Sequence, residues 1–262
     1  MSLIVYDVEG NKSSEVKVQD YFNYPVSMRL INKAFWLVWS HSLQRKGRDP
    51  YAGERTSAQS WNTGRGVSRV ARVKGERSPR AGQAAGVAGV VKGRLAKQPS
   101  SEKVVYLHIN KKERHAAFLS ALSAAFSKSY VVARGHKIGD KTQVPLVVED
   151  SLQELNKAAK LRQFFEKIGV LDDIRRAARR KKRSGKAEWR GRARKEGRGP
   201  LLVISEDKGI SRAAAAFPGV EVVRAKDLSI LHLAPGAVPG RLCIFTLSAL
   251  EDLKRRVSQD ES

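Results

Sequence analysis

Leu201-Leu202-Val203-Ile204 is an unbroken apolar run without polar alternation, the pattern of a strand buried on both faces. The Ala-rich stretch Lys208 to Phe217 follows as a short helix, and Gly219 to Val223 reads as a second strand. Asp227-Leu228 opens a helical turn, and Leu242 to Thr246 is another buried strand. Ser248 to Val257 reads as a final helix, with Ser248 as its N-cap and Glu251 and Asp252 near the positive end of its dipole. Strands alternating with helices predict an α/β fold, a Rossmann-like body with a largely parallel sheet.

The same pattern extends upstream. Leu3 to Val8 suits a buried strand, with Glu9-Gly10-Asn11 as its turn. Between Arg29 and Leu43 the residues Leu30, Ile31, Ala34, Phe35, Val38 and Trp39 recur at helical spacing, which predicts one buried face. Asn110-Lys111-Lys112-Glu113 has the form of a capping box. The helix it opens carries Leu119, Leu122 and Phe126 on one stripe, with small Ala and Ser elsewhere. Tyr130 to Ala133 and Val144 to Val148 read as strands, and Glu149-Asp150 leads into a helix running to about Ile168.

Two segments break this pattern. Residues 45–97 hold thirteen cations against three acids, with nine glycines and no Leu, Ile, Phe or Met before Leu95. A stretch so poor in large apolar side chains cannot offset its ordering entropy by burial. It is expected to be an extended arm that folds on a dense polyanion. Residues 175–198 carry thirteen more cations against two acids, helical over Asp172 to Arg183 and Gly-rich from Ser184 to Gly199. The chain's net charge is +24, so the remaining residues are close to neutral. The expected organisation is a body of 1–44 with 98–262, an arm of 45–97, and a basic insertion at 175–199. Nucleic acid is the partner class that such asymmetry favours.

Other classes fit the residues poorly. No apolar run approaches the roughly 18–20 residues of a spanning helix, so no membrane is expected as partner. The start of the chain reads as a strand, without the basic region of a signal peptide. The lone Cys243 fits a reducing, cytoplasmic compartment. Gly64-Arg65-Gly66 begins like a dinucleotide fingerprint, but Arg69 stands at the third glycine and no strand precedes it. Gly86 to Gly93 contains Lys92 but lacks the ending of a phosphate loop. His41, His108, His115, His136 and His232 show no metal spacing, so neither metal nor other cofactor is expected. Acids are scarce in both basic segments, where a nuclease would need them for metal ions.

The arginines carry the positive signal. Arg65, Arg69 and Arg72 recur every three or four residues, but Gly64 and Gly66 disfavour a helix, so an extended chain presents them to successive phosphates. Trp61 and Trp189 each sit among arginines, as base-stacking side chains do. Arg134-Gly135-His136 has two open readings, a base-contacting histidine or an ordinary turn.

The run from Ala52 to Gly66, AGERTSAQSWNTGRG, resembles the signature of universal large-subunit ribosomal protein four, in its archaeal and eukaryotic branch. Ile109 to Arg114, Ala133 to His136, Pro145 to Asp150, Leu233 to Gly236 and Pro239 to Leu242 extend the resemblance in order over nearly the whole chain. The length favours the archaeal form. The resemblance implies a structural protein without catalytic activity, bound to large-subunit rRNA and neighbouring ribosomal proteins, with no homo-oligomer. It implies that the arm penetrates the rRNA and helps form the polypeptide exit tunnel, where it meets the nascent polypeptide. The candidate rRNA-binding residues are Arg55, Trp61, Arg65, Arg69, Arg72, Lys74, Arg77, Arg80, Lys92, Arg94 and Lys97 in the arm. Arg134, His136, Arg183, Lys186, Trp189, Arg190, Arg192 and Arg194 complete the set. Trp61, Asn62, Thr63, Arg65, Arg69 and Arg72 are the candidates for the tunnel wall by motif match. Asn62 stands for a usual glycine, Ala71 for a usual proline, and Glu188-Trp189 for a usual lysine and methionine. Leu95 and Lys97 also depart from the usual pattern, which bears on individual phosphate contacts at 95, 97 and 188. Two other functions are compatible with the residues alone: a free regulatory RNA-binding protein, and a nucleic-acid enzyme on a Rossmann-like body.

Overall fold

The computed structural model describes residues 2–17, 23–139, 142–179 and 181–261. Met1 and Arg180, both within segments read above, lie outside the described residues. The chain divides into two compact units, residues 1–39 with 108–262, and residues 40–107.

In chain order the elements begin with β1 (Ser2–Tyr6), β2 (Lys12–Lys17) and α1 (Met28–Ser40). Two short strands follow, β3 (Ala58–Ser60) and β4 (Ala71–Val73). Next come α2 (Lys111–Phe126), α3 (Lys128–Ala133), β5 (Leu146–Val148), α4 (Ala158–Ile168) and α5 (Leu171–Ala178). The second basic run forms β6 (Lys181–Lys182), the single turn α6 (Lys186–Trp189) and β7 (Arg194–Lys195). The chain ends with β8 (Leu201–Ile204), α7 (Ile210–Ala214), β9 (Glu221–Arg224), α8 (Ile230–Leu233), β10 (Cys243–Thr246) and α9 (Leu247–Glu261).

In the larger unit, six strands form one sheet in the order β2-β1-β5-β10-β8-β9, parallel except for the antiparallel β1–β2 hairpin. The central strands β5, β10 and β8 are buried at every residue, as their unbroken apolar runs require. Side chains alternate between two cores. Leu3, Val5, Val147, Leu201, Val203, Cys243 and Phe245 pack with α1, α2 and α9. Leu146, Val148, Leu202, Ile204 and Ile244 pack with α4, α5 and α7. The edge strand β2 was not anticipated, because Lys12-Ser13-Ser14-Glu15-Val16-Lys17 has the polar composition of a loop.

Several local expectations are corrected. Tyr130–Ala133 is helical, not a strand. Its Tyr-Val-Val composition favours a strand, yet α2 passes through one extended residue, Ser127, into α3, and only Val131 of that turn is buried. Asn110 is the N-cap of α2 without a side-chain capping bond, and Glu113 pairs instead with Lys33 on α1 at 2.9 Å. The stretch leading to Ile168 is divided, a 3₁₀ turn at Asp150–Glu154 preceding α4. Helix α5 stops at Ala178 and does not reach Arg183. Ser248 lies inside α9, whose start is capped from elsewhere: the Asp150 carboxylate accepts hydrogen bonds from the Ser248 N–H at 3.0 Å and its Oγ at 2.6 Å. Trp39, read as core, is 38% exposed, and Trp36 beside it 51%, whereas Ile31, Ala34 and Phe35 of the same helix are buried.

The smaller unit is built differently. None of residues 41–107 is buried. Its two limbs are joined by backbone bonds, Arg48 N–H to Pro99 O at 3.0 Å, with the Gln98 amide donating to Pro50 O at 2.8 Å. At Gly53 the limbs touch: a Cβ there would lie 2.5 Å from the Arg94 nitrogen, so only glycine fits. Farther along, β3 pairs with β4, and β4 also bonds the returning chain, Val73 N–H to Gln83 O and Ala85 N–H to Ala71 O.

An assembly held by backbone pairing without a core opens at little cost. Limited trypsin digestion of the RNA-free protein is expected to cut within 45–97 before it cuts the larger unit. A mass-spectrometric time course checks this, and a body cleaved first would contradict it.

Candidate nucleic-acid interface

In this fold class ligands usually bind in the crevice beyond the carboxyl ends of the strands. Over β5 and β10 that position is taken by the chain's own side chains, while a cavity of about 310 Å³ lies at the carboxyl ends of β8 and β9, lined by Ile204, Asp207, Ser211, Arg224 and Asp227. Gln153 is buried across the ends of β5, β10 and β8, with its amide nitrogen within 3.2 Å of Asp150, Thr246 and Ser248 and its oxygen accepting from the Glu206 N–H. Among the described residues, no cluster of His, Cys, Asp or Glu could hold a metal ion, and no helix is long and apolar enough to cross a membrane. Burial pushes the Cys243 thiol up to about 12, so it is an unreactive core group.

The cations lie elsewhere. In the smaller unit Arg55 pairs with Asp49 at 2.7 Å, and Arg94 approaches Glu54 at 3.7 Å. The guanidiniums of Arg65 and Arg72 lie over the Trp61 ring, 5.5 and 5.7 Å from its centroid, and Arg72 also donates to Gly82 O at 2.8 Å. Trp61 is thus half-buried among cations, whereas Asn62, Thr63, Arg65 and Arg69 are exposed. Lys74, Arg77, Arg80, Lys92, Arg94 and Lys97 are exposed as well. No helix forms over 61–70, where Gly64 and Gly66 take positive φ.

In the larger unit the second basic run is a hairpin, β6 pairing with β7, on which Arg183, Lys186, Arg190, Arg192 and Arg194 are all exposed and Trp189 is 82% exposed. Its root is clamped to the body by close backbone packing. Gly197 N–H bonds Ala177 O, Gly199 N–H bonds Gly219 O at 2.8 Å, and a Cβ on Gly219 would lie 2.7 Å from Gly197 O.

Arg134 and His136 sit apart from that hairpin's tip, in a recess of the body. Arg134 donates to Pro235 O at 2.7 Å and Pro239 O at 3.4 Å; burial, then the neighbouring Arg241, lower its pKa to about 10, still cationic at neutral pH. His136 is 5% exposed, with Nδ1 2.8 Å from the Asp173 carboxylate, which also accepts from Arg176 and the Lys137 N–H. Desolvation opposes ionisation of Asp173, but the bonds from His136, Arg176 and Lys137 outweigh it and hold the carboxyl below its usual range. An ionised carboxylate only accepts, so His136 Nδ1 carries the hydrogen.

The sequence reading did not single out Arg241, Asp173, Arg176 or Arg198 as site residues. Arg241 is fully buried; it donates to Gly199 O, Glu221, His232 O and Gly219 O. A signal was present, since an arginine directly before the apolar run Leu242 to Thr246 enters a core only with partners.

Burial lowers the pKa of His136 from its ordinary 6.5 against the pull of Asp173, and lowers that of His232 with help from Arg241 and Arg198. Both imidazoles are therefore neutral in the fold, while the unfolded chain takes up protons as pH drops below 6.5. Stability is expected to be greatest above 6.5 and to decline as pH falls toward the folded-state values. In denaturant titrations across this range, His232→Asn should flatten the decline; an unchanged slope would remove His232 from it.

A family profile described as the ribosomal protein L4/L1 family matches residues 16–256. The chain is 44% identical over 260 residues to a protein of Methanopyrus kandleri named large ribosomal subunit protein uL4, covering 99% of this chain and all of that one. Proteins of the same name from Saccharolobus solfataricus and Sulfurisphaera tokodaii are 43% and 42% identical, over 97% and 96% of this chain and 94% and 93% of theirs.

Proposed function

Since the chain belongs to the ribosomal protein L4/L1 family, in its archaeal branch, we propose that it is a structural constituent of the large ribosomal subunit that binds large-subunit rRNA and aids its assembly. The observation that carries this reading is the division of charge from core. The sheet and its helices form a nearly neutral body, while the cations concentrate in residues 45–97 and in the basic run 175–198. Cations on a surface without a core are matched to phosphates, which need no shape-specific pocket. The body anchors the protein among rRNA and neighbouring proteins, the arm enters the rRNA, and the tip at Trp61 to Arg72 meets the nascent polypeptide in the exit tunnel. The protein works in the cytoplasm, within the ribosome, and turns over no substrate.

Phosphate contacts give binding a steep salt dependence, with a log–log slope of about −0.9 per neutralised phosphate on a duplex. Replacing Arg77 and Arg80 together by Gln is expected to weaken binding to a large-subunit rRNA transcript and flatten that slope by about 1 to 2, as measured by filter binding at several salt concentrations. An unchanged slope would show that neither side chain neutralises phosphate.

Anchoring and tunnel function separate at the tip. Arg65 is exposed over Trp61, and many other cations share the anchoring. Arg65→Glu is expected to enter large subunits at normal stoichiometry and to alter arrest-peptide stalling, because charge in a narrow channel acts strongly on what passes. Normal incorporation with identical stalling would take Arg65 off the tunnel wall; absent subunits would make it an assembly residue.

A further inference from the structure

The recess that holds Arg134 and His136 is a cavity of about 930 Å³ within the larger unit, in the size range of small-molecule sites. It is formed by residues before β8, along β9 and in the loop before β10, so it opens beside the edge strand and toward the amino ends of β8 and β10. One wall is aromatic and apolar, with Phe35 and Trp39 of α1 and Val238. The other is cationic, with Arg134, Arg176 and Arg198.

Those three guanidiniums are held before any ligand arrives. Arg134 is fixed by the Pro235 and Pro239 carbonyls, Arg176 by Asp173 and by Arg198 O at 2.7 Å, and Arg198 by Glu221. Two carboxylates, Glu196 and Glu221, also line the recess. Glu221 is neutralised by Arg241 and Arg198. A second recess of about 480 Å³ shares residues 195–198 and Glu221 and adds Arg183 and Arg194 of the hairpin, which makes one cationic track from hairpin to cavity. Pre-set guanidiniums suit phosphate oxygens, and an indole lining the same recess suits a base. An acidic peptide would satisfy the cations and leave the aromatic wall unused.

We propose that this recess takes one unstacked nucleotide of RNA, its phosphate on Arg134, Arg176 and Arg198 and its base against Trp39. The proposal rests on the rRNA-binding reading and adds to it a base-contacting site separate from the arm.

The test uses the full chain and a pentauridylate carrying 5-iodouridine, photo-cross-linked and mapped by mass spectrometry. The expected result is a cross-link at Trp39 or His232 that uridine monophosphate competes away at lower concentration than inorganic phosphate or a glutamate-rich peptide does. Trp39→Leu, at a partly exposed position that leaves the core intact, should abolish this cross-link and weaken binding about 10-fold. Arg198→Gln, an exposed change, should weaken uridine monophosphate competition and supplies a second variant should the first not fold. Cross-links confined to 45–97 and 181–195 with oligonucleotide affinity retained would overturn the nucleotide site and leave the rRNA reading standing. Equal competition by phosphate and uridine monophosphate would reduce the site to an anion site and overturn its base-binding part. Loss of all binding to both pentauridylate and a large-subunit rRNA transcript would overturn the rRNA reading, and this site with it.

Discussion

The buried guanidinium of Arg241 ties together the parts of the body that face the recess. Its donors reach the carbonyls of Gly199 before β8, Gly219 before β9 and His232 in α8, together with the Glu221 carboxylate on β9. A fully buried cation is tolerated only when its donors are met, and removal of one member of such a cluster leaves the others desolvated and unpaired. Desolvation lowers Arg241 to about pKa 10, so it remains charged under neutral conditions. The root of the basic hairpin, the floor of the recess and the edge of the sheet therefore share one polar anchor. Arg198 meets the same Glu221 from the solvent side, so the anchor reaches the surface where the cations begin.

The sheet is polarised in consequence. At the carboxyl ends of β5 and β10, Gln153, Asp150, Thr246 and Ser248 satisfy one another. At the amino ends the loops carry Arg134, Arg176 and Arg198 around an open cavity.

The two units show two ways of ordering a chain. The larger relies on apolar burial on both faces of its sheet. The smaller has no buried residue between 41 and 107; backbone pairing and guanidiniums over Trp61 supply its internal contacts. Like charges spread along such a unit repel one another until a polyanion neutralises them. Absence of a core and excess of charge thus occur together in this unit.

Much of this was legible from residue order. Leu201 to Ile204, Leu242 to Thr246 and Val144 to Val148 announced central parallel strands, because a strand buried on both faces has no polar positions to alternate. That residues 45–97 add nothing to the core was legible from composition, since charge without large apolar side chains cannot build one, whereas the second basic run read as a helix as far as Arg183 and folds as a hairpin. What the sequence left open was decided by contacts between distant residues. Tyr130 to Ala133 became helical, overriding its strand composition. Asp150 capped a helix nearly a hundred positions away, and Ser248, at that helix's start, became its client rather than its cap. Asp173 gathered His136 and Arg176, and Arg241 gathered two glycine carbonyls, a histidine carbonyl and a glutamate. Periodicity and composition are properties of neighbours along the chain, so they reveal elements and arms. A buried charge is settled by whichever partners the fold brings within about 3 Å, and those partners come from segments that no local pattern connects.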